Sequence, residues 1–269
     1  MKQIDNFMNY SDLTESVIVL TKKTGLFLKS MIGKLNEGMI ETKGQMDFVT
    51  DVDKQSEKQL LDGLALILPE AGFIAEEGTY THRGAVYNWI VDPLDGTTNF
   101  IHGVIPFSIS IALMENEELV IGVIYDPIQD ECFSAWKKGP AQLNGKTIRT
   151  SSRSSLSQAL VSTGFPYTDF SLVDAYIGSL RELMECTHGI RRLGSAAMDL
   201  AYIACGRYDA FWEYHLKPWD VAAGTLIIQQ AGGQVTDFYG GQNYLFGKTF
   251  VATNGLIQIE FLNVLKKYF

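Results

Sequence analysis

Cysteine is scarce in this chain: Cys132, Cys186 and Cys205 are the only three in 269 residues, and no Cys-x-x-Cys pair occurs. An odd, widely spaced set excludes a disulfide scaffold, and Cys186 with His188 lacks zinc-ligand spacing. The three read as reduced small hydrophobes of a cytosolic protein. Basic runs are missing too: none exceeds a pair (Lys22-Lys23, Lys137-Lys138, Arg191-Arg192, Lys266-Lys267), and the formal charge is −9. Such a surface repels a nucleic-acid backbone, so no nucleic-acid partner is expected. No apolar run reaches the roughly 18 residues that span a membrane. The N-terminus, with Asp5, Asp12 and Glu15, lacks the apolar core of a signal peptide. The expected location is therefore cytoplasmic, with no membrane association. The four histidines (His82, His102, His188, His215) are scattered and form no His-Glu-x-x-His motif.

What is present is a globular composition, 46% apolar and 20% charged, enough to bury a core without staples. Leu13, Val17, Leu20, Thr24, Phe27 and Met31 recur at helical steps and predict a helix near 12–35, with Asp12 and Glu15 as a capping box. A second helix is predicted over 54–68, ending at Pro69. Apolar runs at 73–75, 86–91, 107–113, 119–125 and 131–136 read as strands, with turns at Asn116-Glu117 and Asn144-Gly145. The Ser/Arg-rich segment 149–158 reads as a linker between two lobes or a surface loop. Beyond it, helices are predicted near 171–186, 195–205, 218–231 and 255–268, and strands near 159–163, 208–212 and 249–252. The interleaving points to a layered α/β or α+β domain. One compact unit over 1–269 is expected, with sub-lobes 1–150 and 151–269.

Acidic clusters lie where apolar elements meet turns. Phe73-Ile74-Ala75-Glu76-Glu77-Gly78 delivers two glutamates to a strand's C-terminal edge, where α/β sheets build sites, although a solvated Glu-Glu turn reads the same way. In Trp89-Ile90-Val91-Asp92-Pro93-Leu94-Asp95-Gly96-Thr97-Thr98-Asn99-Phe100, a buried strand runs into an acidic turn stiffened by Pro93. Asp92 and Asp95 can converge on one cation while the Leu94 carbonyl offers a third hard oxygen, the donor set Mg²⁺ prefers. Gly96, Thr97 and Thr98 follow as an anion site at a helix start. In Lys217-Pro218-Trp219-Asp220, the aspartate falls in a first helical turn, where it either stabilises the helix or serves a site. Asp47, Asp51 and Asp53 line a strand or turn, or cap the helix that follows. Leu94-Asp95-Gly96-Thr97 is similar to the Asp-x-Asp-Gly-Thr motif of haloacid-dehalogenase phosphatases. The position of their covalent nucleophile is Pro93 here, so an activated water is the remaining choice.

The chain resembles the inositol monophosphatase family over nearly its whole length. The segments "WIVDPLDGTTNFIH", "WDVAAGTLIIQQAGG", "DFVTDVD", "AEEG" and "GSAAMDLAYIACGRYDAFWE" match the family's motifs in order and spacing, with Ala75 in place of its usual glycine. The resemblance implies a layered α-β-α-β-α sandwich, commonly a homodimer, that hydrolyses phosphomonoesters in a Mg²⁺-dependent, lithium-sensitive reaction. It implies that Glu76, Asp92, the Leu94 carbonyl, Asp95 and Asp220 hold two to three Mg²⁺ ions, with Glu77 beside them. By the same resemblance, Asp53 and Thr97 orient and activate the attacking water, with Glu76 joining them in the catalytic set. Gly96, Thr97 and Thr98 receive the phosphate, and Gly194, Ser195, Ala196 and Glu213 line the alcohol pocket.

The implied partner is a small phosphorylated substrate, with myo-inositol monophosphate first because a Glu213 carboxylate accepts bonds from vicinal hydroxyls. The family's NADP(H) 2′-phosphatases, fructose-1,6-bisphosphatases, histidinol-phosphatases and adenosine 3′,5′-bisphosphate phosphatases share the same catalytic motif. A glycine-containing loop near 33–45 would leave an open site and dual specificity. A non-catalytic, metal-dependent binder of phosphorylated ligands is the alternative from another class. Roles for Lys43 and Arg191 stay open.

Overall fold

A computed structural model describes residues 8–35, 37–44, 47–79 and 82–269. Asp5 and the side chains of Lys43 and Asp47, which entered the sequence reading, lie outside what is described. Helix α1 (Tyr10–Met31) is capped by Asn9, whose side chain accepts from the Ser11 and Asp12 amides. The expected Asp12–Glu15 box is thus replaced by a cap three residues earlier. The fully buried stripe is Thr14, Val17, Thr21, Thr24 and Leu28, while Leu13, Leu20, Phe27 and Met31 flank it half-buried. A single 3₁₀ turn (Glu37–Met39) and the antiparallel pair β1 (Ile40–Gly44) and β2 (Asp47–Thr50) follow. The expected open loop over 33–45 therefore carries a strand.

Helix α2 (Asp51–Ile67) starts three residues before its predicted bound. Thr50 caps it, and Asp53 completes a capping box. Strands β3 (Gly72–Ala75), β4 (Tyr87–Asp95), β5 (Ser108–Glu115), β6 (Glu118–Asp126), β7 (Glu131–Trp136), β8 (Gln142–Leu143) and β9 (Lys146–Thr147) form one seven-stranded sheet in that order. Only β3 and β4 run parallel. The short α3 (Thr97–Ile101) leaves the end of β4. Asn116 and Asn144 both take positive φ, as the predicted turns require. The segment 86–91 was expected to end in a turn at Asp92-Pro93. Instead β4 continues to Asp95 across a register shift between Asp92 and Asp95. Proline has no N–H to give a ladder, so it falls where the ladder is already broken.

The second half adds β10 (Leu160–Thr163), α4 (Val173–Cys186), β11 (Gly189–Arg191), α5 (Ala196–Ala204), β12 (Ala210–Tyr214), α6 (Pro218–Ala231), β13 (Gln234–Thr236), β14 (Thr249–Thr253) and α7 (Gln258–Leu265). Its five-stranded sheet runs β11-β10-β12-β14-β13. Alternation along each strand assigns the layers. In β4, Trp89 and Val91 face α1 and α2, while Ile90 faces α5 and α6. In β12, Phe211 faces α5 and α6, while Ala210 and Trp212 face α4 and α7. The order is thus helix, sheet, helix, sheet, helix, as the resemblance implied. Both faces of β4 to β6 are covered, which explains their nearly unbroken apolar runs. Small residues let α6 sit close: a Cβ on Gly122 would lie 2.6 Å from the Ala223 carbonyl oxygen, and one on Gly224 2.5 Å from Leu200 Cβ.

The Ser/Arg-rich connector is tied down rather than loose. Asp209, fully buried, accepts both Arg153 Nε contacts at 2.8 Å, the Ser151 hydroxyl and the Leu160 amide. Among the described residues no helix is long and apolar enough to cross a membrane.

Candidate active site

The acidic residues singled out in the sequence converge from four elements. β4 supplies Asp92, Leu94 and Asp95 at its broken end, the turn after β3 supplies Glu76, α2 supplies Asp53, and the first turn of α6 supplies Asp220. Each is held by the protein. Asp92 Oδ1 accepts the Leu94 amide at 2.9 Å. Asp95 Oδ2 accepts the Ser195 hydroxyl at 2.5 Å and the Ala197 amide at 2.8 Å. Asp220 Oδ2 accepts the Lys217 amide at 2.7 Å, so it both starts the helix and joins the cluster.

Burial pushes Asp92 well above the usual carboxylate range, and the charges of Glu76, Asp95 and Asp220 push it further. Burial likewise raises Asp95 to about 6, against the hydrogen bonds from Ser195 and Ala197. Asp220 is raised by burial and by Asp95. Asp95 and Asp220 keep part of their surface open to a small cavity, yet protein atoms surround them on every other side. Among the described residues no salt bridge neutralises these three aspartates, and no three His, Cys, Asp or Glu side chains already stand at metal-ligand spacing. Arg192 and Lys217 offset the charge of Asp95 and Asp220 only in part; crowded anionic oxygens are costly, and a divalent cation relieves that cost. The oxygen-only donor set, with the Leu94 carbonyl among it, fits a hard cation.

Thr97 stands next to the cluster. Its hydroxyl lies 3.0 Å from Asp53 Oδ1 and 3.1 Å from the Leu94 carbonyl oxygen. Asp53 is fully buried, and burial raises it against hydrogen bonds from Thr50 and Thr97. Asp53 therefore caps α2 and, through its other oxygen, meets Thr97 at the edge of the cluster. Gly96, with φ of 96°, is the N-cap of α3, and Thr97 and Thr98 form its first turn. A Cβ on Gly96 would lie 3.2 Å from the Gly194 carbonyl, so the left-handed turn and the close approach both require glycine.

Gly194, Ser195, Ala196 and Glu213 line one small cavity together with Asp95 and Asp220. Glu213 is raised well above its ordinary range, by burial first and then by the neighbouring charge of Asp199. Arg192 leans over the Phe165 ring at 5.5 Å and lines the same cavity. Arg191 instead turns back to the Ile190 carbonyl at 3.0 Å. A larger crevice lies elsewhere, between 83–88, 114–119 and 226–246, and is rich in side-chain amides.

Two buried acids beside the cluster escaped the sequence reading. Asp199 lines the cavity inside the quoted "GSAAMDL" segment. Glu57, fully buried on α2, accepts the Glu77 amide at 2.7 Å and the Thr79 amide at 2.8 Å. Its position four residues after Asp53, one helical turn on, was the available signal.

Comparison with known proteins places the chain among relatives of known family and fold. The Inositol monophosphatase family matches residues 9–267. A Pseudomonas aeruginosa protein described as Nus factor SuhB is 43% identical over 238 residues, covering 87% of this chain and 88% of its own. The inositol-1-monophosphatase of Mesorhizobium japonicum is 39% identical over 261 residues, covering 97% and 98%. The crystal structure of the extragenic suppressor protein suhB from Bartonella henselae superposes with a TM-score of 0.89 at 39% identity, covering 95% and 98%.

Proposed function

Because this chain belongs to the inositol monophosphatase family, we propose that it hydrolyses the phosphate of small polyol monophosphates, myo-inositol monophosphate foremost, with Mg²⁺. The observation that carries this reading is the group of buried aspartates that form no salt bridge among the described residues, beside the Asp53–Thr97 hydrogen bond. Glu76, Asp92, the Leu94 carbonyl, Asp95 and Asp220 would hold two to three ions. Bound there, divalent cations supply Lewis-acid polarisation of the phosphoryl group and acidify water. Thr97, aimed by Asp53, orients the attacking water and Asp53 holds its proton. Amides at Gly96, Thr97 and Thr98 receive phosphate oxygens. Glu213 accepts substrate hydroxyls, with Gly194, Ser195 and Ala196 shaping the wall.

Phosphate release is measured from inositol 1-phosphate, fructose 1,6-bisphosphate, NADP⁺ and adenosine 3′,5′-bisphosphate, with Mg²⁺, with EDTA and with added Li⁺. Metal-dependent, Li⁺-inhibited release with inositol 1-phosphate ranking first supports the reading. Comparable kcat/KM on a second substrate makes the enzyme dual-specific. Binding without turnover on every substrate replaces catalysis with a phospho-ligand binder.

The protein works in the cytoplasm as a homodimer under this proposal. Its free cysteines and its exposed Val104, Ile105, Phe165 and Phe170 support that assignment. Sedimentation checks the dimer. A second reading rests on the relative described as a Nus factor: the chain also binds Nus proteins, and failure to capture purified Nus proteins of its own organism removes it.

A further inference from the structure

Helix α2 buries a polar stripe rather than an apolar one where it crosses β4. Asp53, Ser56 and Glu57 are all fully buried. At i, i+3 and i+4 they share one face. Each reaches a different part of the site: Asp53 meets Thr97, Ser56 donates to the Pro93 carbonyl at 3.0 Å, and Glu57 takes the two amides after β3. The turn bearing Glu76 is thereby held on both sides. The Glu76 amide donates to the Val91 carbonyl at 3.2 Å, and the next amide, that of Glu77, donates to Glu57 Oε2. The second oxygen of Glu57 spans the left-handed Gly78 to reach Thr79. A fully buried carboxylate spent on two backbone donors is expensive to desolvate, and losing it would strand both donors.

We propose that Glu57 is a positioning residue that aims Glu76 and so sets the affinity of the carboxylate cluster for its divalent cation. It touches neither substrate nor cation and acts only through the 76–79 turn. The inference rests on the metal-site reading above. It adds that one rigid helix registers a metal ligand, through Glu57, and the water-orienting pair, through Asp53.

Glu57→Gln keeps the shape but points an NH₂ group at one of the two amides. Glu57→Asp keeps the charge but shortens the reach. Mn²⁺ binding is followed by calorimetry on each folded protein, and the Mg²⁺ dependence of turnover is measured alongside. Both variants are expected to bind Mn²⁺ about 10- to 100-fold more weakly. Half-maximal Mg²⁺ should rise by the same factor, while kcat at saturating Mg²⁺ returns to within about threefold of the parent. Unchanged Mn²⁺ affinity in either folded variant overturns the proposal. So does a kcat loss that saturating Mg²⁺ fails to restore. Retained affinity in Glu57→Asp alone would make the effect one of charge and equally overturn positioning. A parent protein that binds no Mn²⁺ would overturn the metal-site reading itself, and this inference with it.

Discussion

At the scale of single residues, the carboxylates of the site differ in what each replacement removes. Asp95→Asn and Asp220→Asn keep volume and most hydrogen bonds but withdraw an anionic donor. Each is expected to cost at least about a hundredfold in kcat with the circular dichroism spectrum intact. Full activity in either variant would sink the assignment. Gly164 tests the alcohol pocket from the opposite side. A Cβ there would lie 2.0 Å from Glu213 Oε2, so Gly164→Ala must displace that carboxylate. The expected result is a KM for inositol 1-phosphate raised about tenfold, with turnover of 4-nitrophenyl phosphate nearly unchanged. Asp92, the Leu94 carbonyl and Asp95 stood out in the sequence because strand-turn spacing announces oxygen donors at an edge, whereas Asp220 read equally well as a helix start and joined them through the family resemblance. Glu57 was not legible. An acid in an amphipathic helix reads as surface, and its partners are backbone amides 20 and 22 residues further on.

Elements bring these groups together, and their starts and contacts are where they can be weakened. Thr50 caps α2 and also donates its hydroxyl and amide to Asp53. Thr50→Ala should lower stability by about 1 kcal/mol, read by urea denaturation. It should also lower kcat, because Asp53 loses part of its anchor. A fall in stability without a fall in kcat would separate the cap from the site. Helix α6 is pressed between β6 and α5, and Asp220 lies in its first turn. Gly122→Ala drives a methyl into the Ala223 carbonyl and is expected to destabilise by ~1–3 kcal/mol. An unchanged melting temperature would show that the helix can shift freely. Long elements were legible within a few residues because 3.6-residue and two-residue periods need several turns or alternations to declare themselves. The short β1, β8, β9, β11 and β13 carry no apolar run to announce them, whereas the similarly short β3, β10, β12 and β14 do. The Asp92-Pro93 turn was misread because proline marks a break in a strand as readily as the end of one.

For the whole molecule, local patterns announced only alternating helices and strands, while the five-layer order came from the family resemblance. Layering depends on which face of each strand meets which helix, and β4 to β6 are apolar on both faces. The same burial makes stability a function of proton and metal together. Asp92, Asp95 and Asp220 are raised in the fold, so the metal-free native state holds protons that the unfolded chain has released. Their contribution to stability therefore falls as pH rises from the ordinary carboxylate range through about 6 for Asp95. Mg²⁺ should raise the melting temperature more at pH 7.5 than at pH 5, measured by calorimetry with and without EDTA. An equal shift at both values would mean the cation binds elsewhere. The connector between the two sheets has a consequence of another kind. To trypsin, a run rich in serine and arginine is an inviting cut site, yet a protease must draw the chain out in extended form before it cleaves. Arg153 is gripped by Asp209, and its carbonyl accepts the Asn254 side-chain amide at 2.8 Å. The segment with the most linker-like composition should therefore be among the last to be nicked in the native protein.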